Sequence, residues 1–203
     1  MDAYLSPAEF GQAVFKSKGS KFTGLLYPIA DENESLQILQ KVRKDTNYRG
    51  ACHFCYARIL GKDQKVKKSS DDGEPLGTAG KPILHQLENA GLTQCMLIVV
   101  RFFGGVLLGK GGLIQSYRET ARIVIQNTPV KSIPLSIQYR LSFRPEQLSM
   151  VEKCLRNHQA EISGFEFEGS NCWTINIKPS LSESFENSMA QLSYLEIMVE
   201  KSA

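Results

Sequence analysis

Between Asp71 and Tyr117 the chain reads DDGEPLGTAGKPILHQLENAGLTQCMLIVVRFFGGVLLGKGGLIQSY, and 9 of its 16 glycines fall there. Glycine supplies positive φ and close backbone approach at an entropic cost. A chain that concentrates it in one place needs unusual backbone geometry there. The stretch divides into two glycine-rich loops on either side of an apolar run, Cys95 to Phe102, and each loop leads into a helical pattern. The run has no polar face, so it is expected as a central strand buried on both sides. Ile83, Leu84 and Leu87 give a short helix, with Pro82 suited to its first position and Gly91 to its end. Leu113, Ile114, Tyr117, Ala121, Val124 and Ile125 form a helical stripe over Leu113 to Asn127.

Ahead of this stretch the pattern is weaker. Residues 1–20 show no strong period, and Ser17 to Lys21 read as a loop feeding a strand from Phe22 to Ile29. The acidic Asp31 to Glu34 suits a helix start, and Ser35 to Tyr48 follows as an amphipathic helix with a basic face. Ala51 to Leu60 alternates as a strand, and Gly61 to Ser70, GKDQKVKKSS, reads as an exposed mobile loop.

After it, TPVKSIP with Pro129 and Pro134 reads as a linker. The chain then gives a strand over Leu135 to Phe143 and a helix from Pro145. A strand starting at Phe165 and Phe167 turns at Glu168–Asn171 into another carrying Trp173, Ile175 and Ile177. A helix capped by Ser180 or Ser182 follows, and then a last strand with Leu195, Ile197 and Val199. This βαββαβ order predicts a ferredoxin-like domain. The expected organisation is α+β, with domains at 1–132 and 133–203. The halves differ in charge: 18 Lys and Arg against 12 Asp and Glu in the first, 6 against 9 in the second. A basic first domain points to an anionic partner.

The opening MDAYLSPAEF has no basic segment followed by an apolar run, so no secretory signal is expected. The longest apolar run is far below the ~20 residues a bilayer requires. A cytoplasmic protein with no membrane partner is the expectation. Five cysteines, at 52, 55, 95, 154 and 172, have no disulfide-framework spacing and read as reduced thiols.

Three constellations bear on chemistry. In Phe103–Gly112 the glycines 104, 105, 109, 111 and 112 lie between a strand and a helix, where backbone N–H groups and the helix dipole favour an anion. Lys110, Arg101, Arg118 and Arg122 add charge. The pattern matches neither a Walker loop nor a dinucleotide fingerprint, and glycines serving only strand–helix packing are an equal alternative. Asp71, Asp72 and Glu74 could carry a hard cation or acid–base chemistry. The favoured reading is a turn whose carboxylates accept backbone N–H bonds. With His53 and Thr78 they are the residues that could line a cleft. Cys52-His53-Phe54-Cys55 lies on a strand pattern, where the two sulfurs point to opposite faces. Zinc is therefore not expected, and no metal or cofactor is assigned.

Ala51-Cys52-His53-Phe54-Cys55-Tyr56-Ala57, Asp71 to Pro82, Val100 to Gly105 and Leu108 to Leu113 together resemble the IMPACT/YigZ family in order and spacing. The resemblance covers much of residues 16–130, and residues 135–203 look like the small C-terminal domain of bacterial members. It implies a first domain with the ribosomal-protein-S5-domain-2-like fold, a two-layer α/β arrangement with a left-handed crossover. It implies a second domain similar to a late domain of elongation factor G. Both of those relatives bind RNA or nucleotide. Eukaryotic members of the family regulate translation by competing for an activator of an amino-acid-starvation kinase, and none has a settled reaction. This chain departs from the family in having Leu107 where a lysine is usual, Lys110 where a small residue is usual, and Gln115 in place of an arginine.

The lead expectation is a non-enzymatic regulator that binds RNA or the ribosome through Lys110, Arg101, Arg118 and Arg122, with Lys62, Lys65, Lys67 and Lys68 as further contacts. There is no signal specific to DNA. One alternative is a phosphate- or nucleotide-binding enzyme using the 104–112 loop with Asp71, Asp72 and Glu74. The other is a protein-interaction module, which an exposed apolar sheet face in the second domain would favour.

Overall fold

An apolar strand with no polar face has to be covered on both sides, and Cys95–Phe102 is. The computed structural model describes residues 1–167, 170–192 and 197–201. They form two units, Tyr4–Ile133 and a second made of Met1–Ala3 with Pro134–Ala203. Five α-helices and three sheets are present among the described residues. None of those helices is long and apolar enough to cross a membrane.

The first part of the chain runs β1 (Ala3–Pro7), β2 (Gly11–Ser17), β3 (Ser20–Pro28), α1 (Glu32–Lys44), β4 (His53–Leu60), β5 (Val66–Ser70), α2 (Gly80–Asn89), β6 (Cys95–Phe102), α3 (Gly109–Asn127) and β7 (Val130–Pro134). Five of these strands make one antiparallel sheet in the order β2-β3-β6-β4-β5. Strand β6 is central. Its Cys95, Leu97 and Val99 pack on one face with Ile83 and Leu87 of α2 and Leu113, Tyr117 and Val124 of α3. Its Met96, Ile98 and Val100 pack on the other with Val42, Ile38 and Leu39 of α1. Burying each such side chain stabilises the fold by roughly 1.5–3 kcal/mol. Helices therefore cover both faces, a layer more than the two-layer expectation, because both faces of β6 are apolar.

The loops expected elsewhere are more ordered than the sequence implies. Residues 1–20 hold two strands. Lys18 (φ 43°) and Gly19 (φ 80°) form the two-residue turn of the β2–β3 hairpin, where both central residues need positive φ. Gly61–Ser70 is not a free loop: its second half is the edge strand β5, paired with β4. Thr128–Pro134 is not a linker, since Val130–Pro134 forms β7 and pairs with β1. Pro82 is the third residue of α2, not the first. Asp31 caps α1 by accepting the Glu34 N–H at 2.8 Å, so the acidic start was readable.

The second unit runs β8 (Ile137–Phe143), α4 (Leu148–Asn157), β9 (Glu161–Phe167), β10 (Asn171–Ile177), α5 (Pro179–Gln191) and β11 (Met198–Lys201). Its antiparallel sheet has the order β11-β8-β10-β9. Alternate residues Tyr139, Leu141, Phe143, Ile175 and Ile177 meet Val151, Leu155, Phe185 and Met189 of the helices. Phe165 and Phe167 end β9 rather than start it. Ser180 does not cap α5: its N–H and hydroxyl both donate to the Asp2 carboxylate, at 2.8 and 2.6 Å. Of the turn at Glu168–Asn171 and the strand expected around Leu195, residues 168, 169 and 193–196 lie outside the described residues.

Candidate functional site

The first glycine loop leaves β5 and turns at Asp72 (φ 44°) and Gly73 (φ 88°). Its carboxylates face inward. Asp71 Oδ1 accepts the N–H groups of Ala79 and Gly80 at 2.9 and 2.8 Å, and Oδ2 accepts that of Gly77 at 2.8 Å. Ala79 has no capping side chain of its own, so Asp71 satisfies the start of α2 from a distance in sequence. Burial raises the Asp71 pKa, but the three N–H bonds outweigh it and hold the carboxyl below its ordinary value. Thr78 turns back on the same loop, its hydroxyl donating to the Pro75 carbonyl at 2.6 Å. Gly80 is obligatory, since a Cβ there would stand 2.7 Å from the Ser70 backbone nitrogen.

Asp72 is similarly engaged. Its carboxylate accepts the Phe54 N–H at 2.7 Å and pairs with Arg43. Its carbonyl oxygen lies 2.8 Å from His53 Nδ1. A carbonyl only accepts, so Nδ1 carries the proton. His53 Nε2 then faces Glu74 Oε1 at 3.9 Å.

Glu74 is the centre of the cluster. It is 8% exposed, and its Oε1 accepts from Arg101 at 2.6 Å and from the Tyr117 hydroxyl at 2.7 Å. Arg101 is 6% exposed, with its guanidinium over the rings of Phe22 and Phe103 at 5.5 and 5.7 Å. The Arg101 Nε is buried without a hydrogen-bond partner among the described residues. Cys55 Sγ lies 3.0 Å from the Asp71 carbonyl oxygen and 3.3 Å from Tyr117 Oη. Burial pushes the Cys55 thiol and the Tyr117 phenol well up, so both stay protonated at neutral pH. A protonated buried thiol is a weak nucleophile. Cys52, one residue before β4 begins, is exposed, while Cys55 within β4 is buried. Among the described residues no group of three or more His, Cys, Asp or Glu is arranged to hold a metal ion.

The second loop is built differently. Gly104 lies against the hairpin turn, where a Cβ would stand 1.9 Å from the Gly19 carbonyl carbon. Beyond it Gly105 (φ 83°) and Gly109 (φ 68°) are left-handed and face open space, as does Gly111. Gly109 to Gly112 are the first turn of α3, not loop as the sequence implied. Leu108 at the N-cap offers no side-chain acceptor. The opening N–H groups of α3 are therefore left for water or an anion.

The basic residues do not all stand on this end. Lys110 and Arg118 are exposed, and neither makes an ion pair among the described residues. Arg122 is exposed but bonds Glu119 and Gln126 at 2.9 and 2.7 Å. Arg101 is the correction: it is committed to Glu74 inside the fold and is no part of a solvent-facing basic surface. The 62–68 lysines are largely paired, Lys65 with Asp63 at 2.7 Å, Lys67 with Glu88 at 2.8 Å and Lys68 with Glu32 at 3.9 Å. Sequence reasoning missed the apolar residues of the two loops. Leu76 is 93% and Leu107 84% exposed, with Phe103 and Val106 about half exposed. The signal available was apolar residues inside otherwise polar, glycine-rich loops.

Fold and site together define a two-unit α/β protein whose larger unit pairs a closed acidic loop with an open glycine-rich helix start. The Impact N-terminal domain model matches residues 18–125, and the chain belongs to the IMPACT family. It is similar to the IMPACT family member YigZ of Escherichia coli, 30% identical over 196 residues, covering 95% of each chain. It is also similar to the family member YvyE of Bacillus subtilis, 28% identical over 193 residues, 95% of this chain and 88% of that one. A crystal structure of a hypothetical protein matches at TM-score 0.68 and 27% identity, over 100% of this chain and 98% of that one.

Proposed function

We propose that this protein is a non-enzymatic, translation-associated regulator whose larger unit binds RNA or the ribosome through the exposed start of α3. The observation that carries the reading is the uncapped Gly109–Gly112 turn, with Lys110 in it and Arg118 further along the helix both exposed and without an ion pair among the described residues. Backbone N–H groups and two exposed cations suit phosphate oxygens. The departure at Leu107 leaves this feature intact, because the backbone donors do not depend on a lysine there. We take the larger unit to have the ribosomal-protein-type fold that the resemblance implies, with α1 added. The smaller unit is taken as ferredoxin-like, supported by its βαββαβ sequence and β11-β8-β10-β9 order.

The enzyme reading requires Asp71, Asp72 and Glu74 to be available. The Asp71 and Asp72 carboxylates and Glu74 Oε1 are taken up by backbone N–H groups, Arg43, Arg101 and Tyr117, which argues for a structural role. The protein-interaction reading keeps one specific support: exposed Leu76 and Leu107 on the glycine loops, with Phe165 and Phe167 exposed on edge strand β9.

Co-sedimentation with ribosomes at ~50 and ~200 mM salt tests the proposal. The expected result is association at the lower salt that falls steeply at the higher and is lost in Lys110→Glu/Arg118→Glu. Absence of association at low salt, or indifference to the double variant, overturns it. Retained association that Leu107→Asp abolishes favours the protein-interaction reading instead.

A further inference from the structure

The face of the larger sheet that carries α1 is only partly covered by it. On strand β2 the residues of that face, Val14 and Lys16, are exposed. Further across, Phe54 of β4 and Phe102 of β6 are half-buried, both packed on the α1-side core. Phe54 pairs with Val100, two residues before Phe102 on the neighbouring strand. The two residues are therefore diagonal neighbours on one face, a relation in which residue positions lie about 7–8 Å apart.

Each ring carries a cation. The Lys21 ammonium lies 5.6 Å from the Phe102 centroid, and the Arg43 guanidinium 5.3 Å from that of Phe54. Lys21 pairs with Phe102 across β3–β6, and Lys16 pairs with Lys21 across β2–β3. The carboxylate that Arg43 meets, Asp72, is also bound by the Phe54 N–H. The result is a cationic strip with two flat apolar rings set in it, on rigid strands rather than on a loop.

We propose that this sheet face binds single-stranded RNA, with two successive bases stacking at Phe54 and Phe102 while Lys16 and Lys21 contact the phosphates and Arg43, held by Asp72, flanks the Phe54 ring. Every base has a π-face, so such a site tolerates sequence, and adjacent aromatic residues on a sheet suit splayed bases. Positive charge without aromatic rings would serve duplex and single strand alike; the rings select unpaired bases. The inference rests on the RNA reading above and assigns it a second surface, distinct from the start of α3.

The test is fluorescence anisotropy with a labelled oligoadenylate of about 12 nucleotides at low salt. Phe54→Leu and Phe102→Leu keep apolar bulk and remove the flat ring, and circular dichroism checks that each variant is folded. Each is expected to weaken binding at least about fivefold, with competition by unlabelled single-stranded RNA and little by duplex RNA. Wild-type affinity in both folded variants, or equal competition by duplex, overturns the proposal while leaving the α3 surface standing. No oligoadenylate binding alongside intact ribosome co-sedimentation overturns this inference alone; loss of both overturns the RNA reading as well.

Discussion

The two glycine-rich loops of the larger unit look alike in sequence and differ in what their polar groups face. In Asp71–Gly80 every carboxylate has protein donors, and the loop closes over a buried Arg101–Glu74 pair. In Phe103–Gly112 Gly104 and Leu108 are packed, while Gly105, Gly109 and Gly111 face open space and the α3 start has no side-chain cap. Glycine enrichment marks both, so it signals tight backbone geometry. Which of them can take a ligand depends on whether its hydrogen-bonding groups are already satisfied.

Substitutions should separate the loops in stability before they separate them in binding. Glu74→Ala leaves Arg101 buried without its partner, and breaking such a pair costs about 3–5 kcal/mol. Urea unfolding should show that loss; an unchanged midpoint would contradict a stabilising buried pair. Gly104→Ala drives a Cβ to 1.9 Å from the Gly19 backbone, and overpacking of this kind costs about 1–3 kcal/mol. Asp71→Ala removes the acceptor for the Ala79 and Gly80 N–H groups at the α2 start and for that of Gly77 in the loop, a loss of about 1–2 kcal/mol.

The Asp71 effect also has a pH signature. Its folded pKa lies below the ordinary 3.8. Its contribution is therefore complete above the unfolded value and fades as pH falls through the lowered folded one. Wild type and Asp71→Ala should differ at pH 7 and converge in acid. A constant difference down to the acid limit would locate the effect elsewhere. The smallest change is expected at the open loop. Gly111→Ala meets nothing within 4 Å and should be neutral or stabilising by about 0.5 kcal/mol. A large destabilisation there would show that the α3 start is packed after all.

Much of the larger unit was readable where one element decides the pattern. The apolar run of β6, the stripe of α3 and the Asp31 cap each carry their own period or end signal. The edge strand β5 was not readable: its lysines lower β-propensity, and its strand form comes from pairing with β4 and from partners Glu88 and Glu32 on α2 and α1. Strand β7 was hidden by Pro129 just before it and Pro134 at its end, neither of which interrupts its middle. The Glu74–Arg101–Tyr117 cluster joins a turn, a strand and a helix, and no local spacing encodes it. Arg101 therefore looked like a surface cation from sequence, although the strand it sits in is buried.

The most direct test of the open-loop claim is the salt dependence of RNA affinity. For wild type, log Kd against log salt should be linear. Lys110→Glu/Arg118→Glu should lower the slope by roughly 0.7 for each phosphate of a single strand that the variant no longer neutralises. The same slope in wild type and double variant would contradict phosphate binding at the start of α3.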